Sequence, residues 1–247
     1  MASPTAPSSD LRNRLLLALP PETLAELWPQ LEPIDLILRD VLQVPEQPMQ
    51  AAWFIETGVV SMLATLEDGD SAEVGIVGKE GFIGLPLLLD DDRDDLEGVV
   101  QVAGTGYRIS AEAFRVALER LPDLRRLLNR YALIHHGQVA RTGACNGRHH
   151  IDQRLARWLL MAHDRTEGDT VPFTHEMLSI MLGVRRAGVT VAAGALQKAG
   201  LIRYSSGRIT ITDRSGLEAV ACECYGITRR ARDRLFGLPL GEIPYRR

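Results

Sequence analysis

The chain has 247 residues, of which 45% are hydrophobic and 24% are charged, as in a soluble globular protein of one large or two ordinary domains. Three cysteines are too few for a disulfide framework, which favours a reducing compartment. No apolar run approaches the roughly 18 residues of a membrane span. The first apolar stretch, residues 15–19, is too short for a signal peptide. We therefore expect a cytoplasmic protein with no membrane partner.

The net charge of −4 hides an unequal distribution along the chain. Residues 1–122 contain 8 basic and 21 acidic side chains, whereas residues 123–247 contain 20 basic and 11 acidic ones. The first part would repel a polyanion such as DNA, and the second part could hold one. The alternative is a chance imbalance of solvated surface.

Residues 34–109 follow a short helical stretch and consist of short apolar or β-branched runs broken by closely spaced glycines. This pattern predicts a β-roll or jelly roll, to which we assign residues 11–122. Residues 34–109 contain no histidine, which argues against a metal-dependent enzyme of the cupin type. Because no motif of a nucleophilic or paired-carboxylate site is found either, we expect no enzymatic activity and no cofactor.

The period then becomes helical, and residues 123–148 are predicted to form a long central helix and a hinge. Leu124, Tyr131 and Gln138 are spaced by seven, as are Leu127 and Ile134. These five residues form a weak coiled-coil pattern and are our candidates for dimerisation. The alternative is that the helix lies on its own β-roll. The glycines of residues 143–147 predict a hinge, which ends the helix near residue 142.

Residues 149–247 carry the signals of a winged helix-turn-helix. In "FTHEMLSIMLGVRRAGVTVAAGALQKAGLI", Thr174 is a good N-cap and Gly183 suits the turn between two helices. A predicted hairpin around residues 206–207 follows at once and would be the wing. This combination predicts an α+β fold with a β-roll, a long helix and a winged helix-turn-helix.

The second helix of the pair is expected to be half-buried, with its open face directed at DNA. Arg185 and Arg186 stand at its N-terminal end, where an arginine can pair with guanine or bind phosphate. Gly188 and Gly194 would permit close approach to the duplex, unless they reflect tight helix packing. The candidate DNA-binding residues are Thr174, Arg185, Arg186, Ala187, Thr190, Val191, Arg203, Ser206 and Arg208.

No metal site is predicted. Ser215 is expected to cap one last helix that contains Cys222 and Cys224, and residues two apart on a helix point in different directions. Further ligand types flank the predicted hinge with a spacing that matches no metal motif: His135, His136, Cys145, His149 and His150.

These segments together resemble the Crp–Fnr family of bacterial transcription regulators over nearly the whole length of the chain. "FIETGVVSML" and "GKEGFIG" look like the cyclic-nucleotide-binding β-roll of that family, and "RLARWLL" resembles the first helix of its DNA-binding domain. The resemblance implies a homodimer paired through the central helix, a palindromic site in double-stranded DNA, and contact with RNA polymerase.

The chain departs from the family pattern at the recognition helix. Ala187 stands where the best-known members carry a glutamate that can accept from cytosine, and Val191 stands where a third base-reading residue, often arginine, is found. We therefore expect a different operator.

A second departure lies in the β-roll, where the family's phosphate-binding arginine becomes Asp95 or Leu96 and a glutamate becomes Leu85 or Pro86. Arg93 is surrounded by aspartates, which disfavour a phosphate. We expect a regulator whose effector is unidentified and is not cyclic AMP. The alternative is a cyclic-nucleotide-binding signalling module whose winged helix mediates protein contacts. The candidate effector pocket comprises Gly84, Leu85, Pro86, Arg93, Leu96, Val139 and Ala140.

Overall fold

The computed structural model describes residues 10–237. The elements in chain order are α1 (Arg14–Leu17), α2 (Pro21–Leu27), β1 (Glu32–Leu36), β2 (Val41–Gln43), β3 (Ala51–Ile55), β4 (Val59–Thr65), β5 (Ser71–Val77), β6 (Phe82–Ile83), α3 (Leu85–Leu88), β7 (Leu96–Val102), β8 (Gly104–Ser110), α4 (Ala111–Arg120), α5 (Pro122–Arg148), α6 (Ile151–His163), β9 (Thr170–Val171), α7 (His175–Leu182), α8 (Arg186–Lys198), β10 (Ile202–Ser205), β11 (Arg208–Ile211), α9 (Arg214–Val220) and α10 (Cys224–Leu235).

The N-terminal strands form the predicted β-roll. Two four-stranded antiparallel sheets have the orders β1-β8-β3-β6 and β2-β7-β4-β5. Their alternating apolar residues meet in one core, where the rings of Phe54, Phe82 and Phe114 contact one another. Tyr131 of α5 packs against Phe82, so the long helix closes this core. The predicted α+β fold of β-roll, long helix and winged helix-turn-helix is therefore confirmed.

The central helix is longer than the sequence indicates. α5 continues without a break to Arg148, through the glycines that predict a hinge, and the chain turns only at His149, whose backbone is extended. The prediction of a hinge at residues 143–147 is wrong, because an α-helix tolerates isolated glycines at about 1 kcal/mol each.

The apolar face of α5 lies on the β-roll of its own chain. Leu124, Leu127, Tyr131 and Gln138 are buried there, and the Gln138 side chain donates to the carbonyl oxygen of Ile76 at 3.0 Å. A Cβ at Gly81 would lie only 2.2 Å from the Tyr131 hydroxyl oxygen, so the glycine permits this close packing.

Four of the five predicted dimerisation residues, those at positions 124, 127, 131 and 138, are thus covered within the protomer, and only Ile134 is half-buried. Their assignment to the dimer seam is wrong, because a heptad pattern marks an apolar face without saying what covers it. The opposite face of α5 is open, with Leu133 71% exposed.

The winged helix-turn-helix has the predicted local structure. The Thr174 hydroxyl accepts from the backbone N–H of Met177, and Gly183 adopts φ 58° at the turn. α7 and α8 differ in direction by 106°. β10 and β11 form the wing, with Ser206 and Gly207 both at positive φ, as a tight hairpin turn requires. β9 extends this sheet.

The predicted single last helix is in fact two. Asp213, rather than Ser215, is the N-cap of α9, and its carboxylate accepts from the backbone N–H of Gly216 at 2.9 Å. α9 ends at Val220 and α10 begins at Cys224, so Cys222 lies in the break between them. The two cysteines are therefore not held on one helix.

The winged domain packs on the β-roll through buried polar groups. Glu73 of β5 accepts from the indole N–H of Trp158 on α6 at 2.6 Å and also from the Ser61 hydroxyl. Burial raises the pKa of Glu73 to about 7. Beside it, the Arg165 guanidinium forms an ion pair with Glu80, and both side chains are almost fully buried.

Within the described residues, no single helix has both the length and the apolar composition of a membrane span. α7 and α8 reach that composition only as a pair, which is sharply bent at its break.

Candidate nucleic-acid interface and effector cavity

The N-terminal end of α8 is an open, positively charged surface. Arg185 is the N-cap and makes no side-chain capping bond, so backbone N–H groups of the first turn remain available to an anion. The Arg186 side chain lies 3.8 Å from the Glu176 carboxylate, and each is 70% exposed. Such a pair contributes little to stability and can open at low cost.

All nine candidate DNA-binding residues are exposed, among them Val191, which is 74% exposed. The Thr190 hydroxyl lies 3.0 Å from Nδ1 of His175 and also bonds the Arg186 carbonyl oxygen. The His175 ring stacks on Tyr204 of the wing at 4.1 Å. His175 and Tyr204 thus hold the helices and the wing together. No local sequence signal indicated this role, because the residues in contact come from three elements, α7, α8 and β10.

The two glycines of α8 have different roles. A Cβ at Gly188 would lie 3.0 Å from Cδ1 of Ile151, so this glycine serves packing between α8 and α6. The interpretation that it opens the helix to DNA is wrong. A Cβ at Gly194 would have open space, so that position leaves the surface flat.

The wing residues Arg203 and Ser206 are exposed beside α8. Arg208 lines a cleft of about 710 Å³ between the wing and the β-roll. Arg14 and Lys79 line the same cleft, together with Arg12, which pairs with Glu167. These β-roll cations escaped the sequence analysis because they lie in the otherwise acidic first half of the chain.

The β-roll contains a cavity of about 410 Å³ at the predicted effector position. The lining includes six of the seven candidate residues, namely Gly84, Leu85, Pro86, Arg93, Leu96 and Val139. Ala140 is exposed on α5 and does not line the cavity, so its assignment is wrong. Gln43, Met62 and His135 also line the cavity, from β2, β4 and α5, and no sequence pattern indicated them.

The charges of this cavity disfavour an anion. The Arg93 guanidinium donates to the Asp92 carboxylate at 2.8 Å, and Asp91 and Asp94 also line the cavity. Burial lowers the pKa of His135 to about 4, so the imidazole is neutral at physiological pH. The cavity therefore offers apolar surface and a cation that is already paired.

A cluster of metal-ligand types joins the end of α5 to the start of α10. One ligand atom from each of Cys145, His149, Cys222 and Cys224 lies within 4.8 Å of all the others. The expectation that Cys222 and Cys224 cannot hold one metal ion is wrong, because the two residues do not lie on one continuous helix.

Comparisons with known proteins agree with this architecture. A model of the cyclic nucleotide-binding domain matches residues 39–120, and a model of the Crp-like helix-turn-helix domain matches residues 153–220. The chain is similar to the transcriptional regulator SdrP of Thermus thermophilus, with 26% identity over 180 residues that cover 70% of this chain and 85% of SdrP.

Two solved structures share the fold. The structure of FixK2 from Bradyrhizobium japonicum has a TM-score of 0.67 and 15% identity, and the match covers 78% of this chain and 98% of FixK2. CLP of Xanthomonas campestris, described as a c-di-GMP responsive global regulator, has a TM-score of 0.61 and 17% identity, with 77% and 98% covered. The chain thus carries a cyclic nucleotide-binding domain followed by a Crp-like helix-turn-helix domain, and it belongs to the Crp–Fnr family of transcription regulators.

Proposed function

We propose that the protein binds a palindromic site in double-stranded DNA as a homodimer, with α8 of each protomer in the major groove. The observation that carries this proposal is the open N-terminal end of α8, where Arg185 and Arg186 are exposed beside the wing. The basic second half of the chain supports it, since phosphate contacts supply much of the affinity for DNA. A role in transcription implies contact with RNA polymerase in the cytoplasm.

The dimer would form through the open face of α5. Leu133 is the exposed apolar residue of this face, and Gly137, Ala140 and Ala144 continue it at a spacing of three or four residues. Small side chains at this spacing allow a second helix to approach closely. A two-fold axis along this face would set two copies of α8 side by side, as a palindromic operator requires.

We further propose that the β-roll cavity does not bind cyclic AMP or cyclic GMP. An ionised phosphate buried without a partner costs several kcal/mol, and here Arg93 is already paired with Asp92. The apolar lining suits a small uncharged or weakly polar effector instead.

The DNA proposal is tested by selecting an operator from random duplexes with the full-length protein and then measuring affinities. Arg186→Ala should weaken binding to the selected site about 5- to 150-fold, which corresponds to about 1–3 kcal/mol for a bidentate contact with guanine. Arg120→Ala removes an equally exposed arginine, 69%, from α4 and serves as the control. Equal affinities of both variants and the parent would contradict the assignment of α8.

The dimer is tested by sedimentation of Leu133→Glu, which would place two carboxylates at the proposed seam. We expect monomers that bind an operator half-site poorly. Leu66→Glu changes a leucine of similar exposure, 63%, at the β-roll surface and should leave the dimer intact. A dimeric Leu133→Glu protein would mean that the protomers pair elsewhere.

The effector proposal is tested by calorimetric titration with cyclic AMP, cyclic GMP and cyclic di-GMP. Saturable binding of either mononucleotide below about 100 µM, or about −5.5 kcal/mol, that is lost in Arg93→Ala would contradict the proposal. If a cyclic mononucleotide binds and the selection from random duplexes yields no operator, the results would favour a signalling module whose winged helix contacts proteins. Binding of cyclic di-GMP alone would point to the ligand class named for CLP.

A further inference from the structure

The junction between the central helix and the last helix brings together three thiols and an imidazole. Cys145 and His149 are one helical turn apart at the end of α5, joined by the bond from the His149 N–H to the Cys145 carbonyl oxygen at 3.0 Å. They therefore face the same way. Cys222 precedes α10 and Cys224 begins it, so the break between α9 and α10 directs both thiols at α5.

The spacing of these atoms matches one tetrahedral zinc ion. Zn–S bonds of about 2.3 Å and Zn–N bonds of about 2.0–2.1 Å at tetrahedral angles separate ligand atoms by roughly 3.5–3.8 Å. The Cys145 and Cys222 sulfurs lie 3.5 Å apart, and the Cys224 sulfur lies 3.7 Å from Nδ1 of His149. All four ligand atoms lie within 4.8 Å of one another.

The second nitrogen of the imidazole is held by a carboxylate. Nε2 of His149 lies 3.2 Å from the Glu223 carboxylate, which leaves Nδ1 directed at the thiols. Metal-bound histidines usually donate their other N–H to such a carboxylate, which orients the ring and raises its basicity. Glu223 stands between Cys222 and Cys224, so one short segment supplies two ligands and the group that orients a third.

The surrounding charges suit a thiolate centre. Arg154 and Arg157 of α6 are 8% and 4% exposed, and both are near enough to Cys145 to act on it electrostatically. Their Nε atoms have no hydrogen-bond partner within residues 10–237. Three thiolates and one Zn²⁺ leave a net charge of −1, which these buried cations would offset.

We propose that Cys145, His149, Cys222 and Cys224 bind one Zn²⁺ in a closed, structural site that ties the end of α5 to the start of α10. Binding releases the thiol protons and forms three Zn–S bonds and one Zn–N bond. The site joins the central helix to the DNA-binding domain, and it does not depend on DNA being the partner of that domain.

A disulfide between Cys145 and Cys222 is the competing use of this cluster. It would need an oxidant, and it would not account for the positions of Cys224, His149 and Glu223. The convergence of four ligand atoms and an orienting carboxylate favours the metal.

The test measures metal in the full-length protein purified without chelators. Elemental mass spectrometry should find one zinc per chain, and Cys222→Ser and Cys224→Ser should lose it. The protein stripped of zinc under reducing conditions should take up one Co²⁺ and develop the visible absorption of a tetrahedral thiolate site. Zinc that survives both substitutions, or no Co²⁺ spectrum, would overturn the proposal. So would a Cys145–Cys222 disulfide in the purified protein with no zinc bound.

A second variant covers the case in which a cysteine variant fails to fold. Glu223 is 67% exposed, so Glu223→Gln should fold, yet it removes the carboxylate from His149. Zinc affinity, measured by competition with a chelating dye, should fall 10- to 100-fold. Glu119→Gln, an exposed glutamate of α4, should bind zinc as the parent does. Equal affinities for both variants would overturn the role of Glu223 in orienting His149 toward the metal.

Discussion

The arginine–glutamate pairs Arg165–Glu80 and Arg186–Glu176 lie in two different regions of the molecule. Arg165 and Glu80 are almost fully buried where the winged domain meets the β-roll, whereas Arg186 and Glu176 are 70% exposed at the DNA-facing end of α8. The groups are the same, and their surroundings decide what they do. A buried pair is strongly destabilising to break, since either partner alone is left as an unpaired buried charge. An exposed pair contributes little to stability, so its arginine can leave the glutamate and bind DNA at low cost.

The joint between the domains also depends on Glu73, which accepts from Trp158 across the same interface. Buried polar groups thus fix the position of the winged domain on the β-roll. The DNA-facing surface of that domain contains almost no buried polar groups. Changes at the joint should act on stability, and changes at the surface should act on DNA binding.

The largest effect is expected when the buried pair is broken. Glu80→Ala leaves the Arg165 guanidinium buried without its carboxylate and should lower the free energy of unfolding by about 3–5 kcal/mol. Glu176→Ala is the matched change at the exposed pair and should cost less than about 1 kcal/mol. Urea unfolding of both variants measures the difference. Similar losses from both changes would mean that burial does not distinguish the two pairs.

The next effect concerns pH at the joint. Burial raises the pKa of Glu73 to about 7, so the folded protein holds this proton more tightly than the unfolded chain does. The associated stability is fully present below the unfolded pKa and is lost as the pH rises through about 7. The loss between pH 4.5 and pH 8 would be at most roughly 3 kcal/mol.

Glu73→Gln keeps the size of the side chain and an acceptor for Trp158 but cannot ionise. Its unfolding free energy should therefore lack this decline between pH 4.5 and pH 8. The control Glu119→Gln should retain the decline, because Glu73 is unchanged in it and the substituted glutamate is exposed. If the pH dependence of Glu73→Gln equals that of the parent, another group titrates at the joint.

A smaller effect is expected from the wing. Arg208→Ala should weaken binding to all DNA sequences alike and reduce the slope of log affinity against log salt by about 0.9, as for the loss of one phosphate contact. Affinities at several salt concentrations measure this slope. An unchanged slope would mean that Arg208 serves the cleft between wing and β-roll, whose lining it shares with Arg14 and Lys79.

The smallest effect is expected from Glu176→Gln. Removing this carboxylate frees Arg186 and takes one negative charge from the DNA-facing surface, so affinity for the operator should rise by less than about 1 kcal/mol. The rise should disappear at high salt, where exposed charges are screened. A fall in affinity would show that Glu176 positions Arg186 for its contact rather than competing with DNA.

Features that depend on a few neighbouring residues could be predicted from the sequence. The Thr174 cap, the Gly183 turn and the hairpin at residues 206–207 each follow from backbone groups within four residues. Part of the β-roll cavity could be predicted as well, because six of its lining residues occupy positions matched to a family pattern. The surface that covers Leu124 and Leu127 could not be predicted, since a heptad pattern is the same whether a partner helix or the β-roll covers it.

The sequence by itself determined the succession of β-roll, long helix and winged helix-turn-helix, the charge of the two halves and the exposed candidate residues of α8, because local spacing and composition set these. The tertiary structure alone decided which face of α5 is open and where Glu73 and Glu80 are buried. It alone also brought Cys145 and His149 to Cys222 and Cys224, more than 70 residues away along the chain. Such contacts depend on the break between α9 and α10 and on the packing of α10 against α5, which no short stretch of sequence encodes.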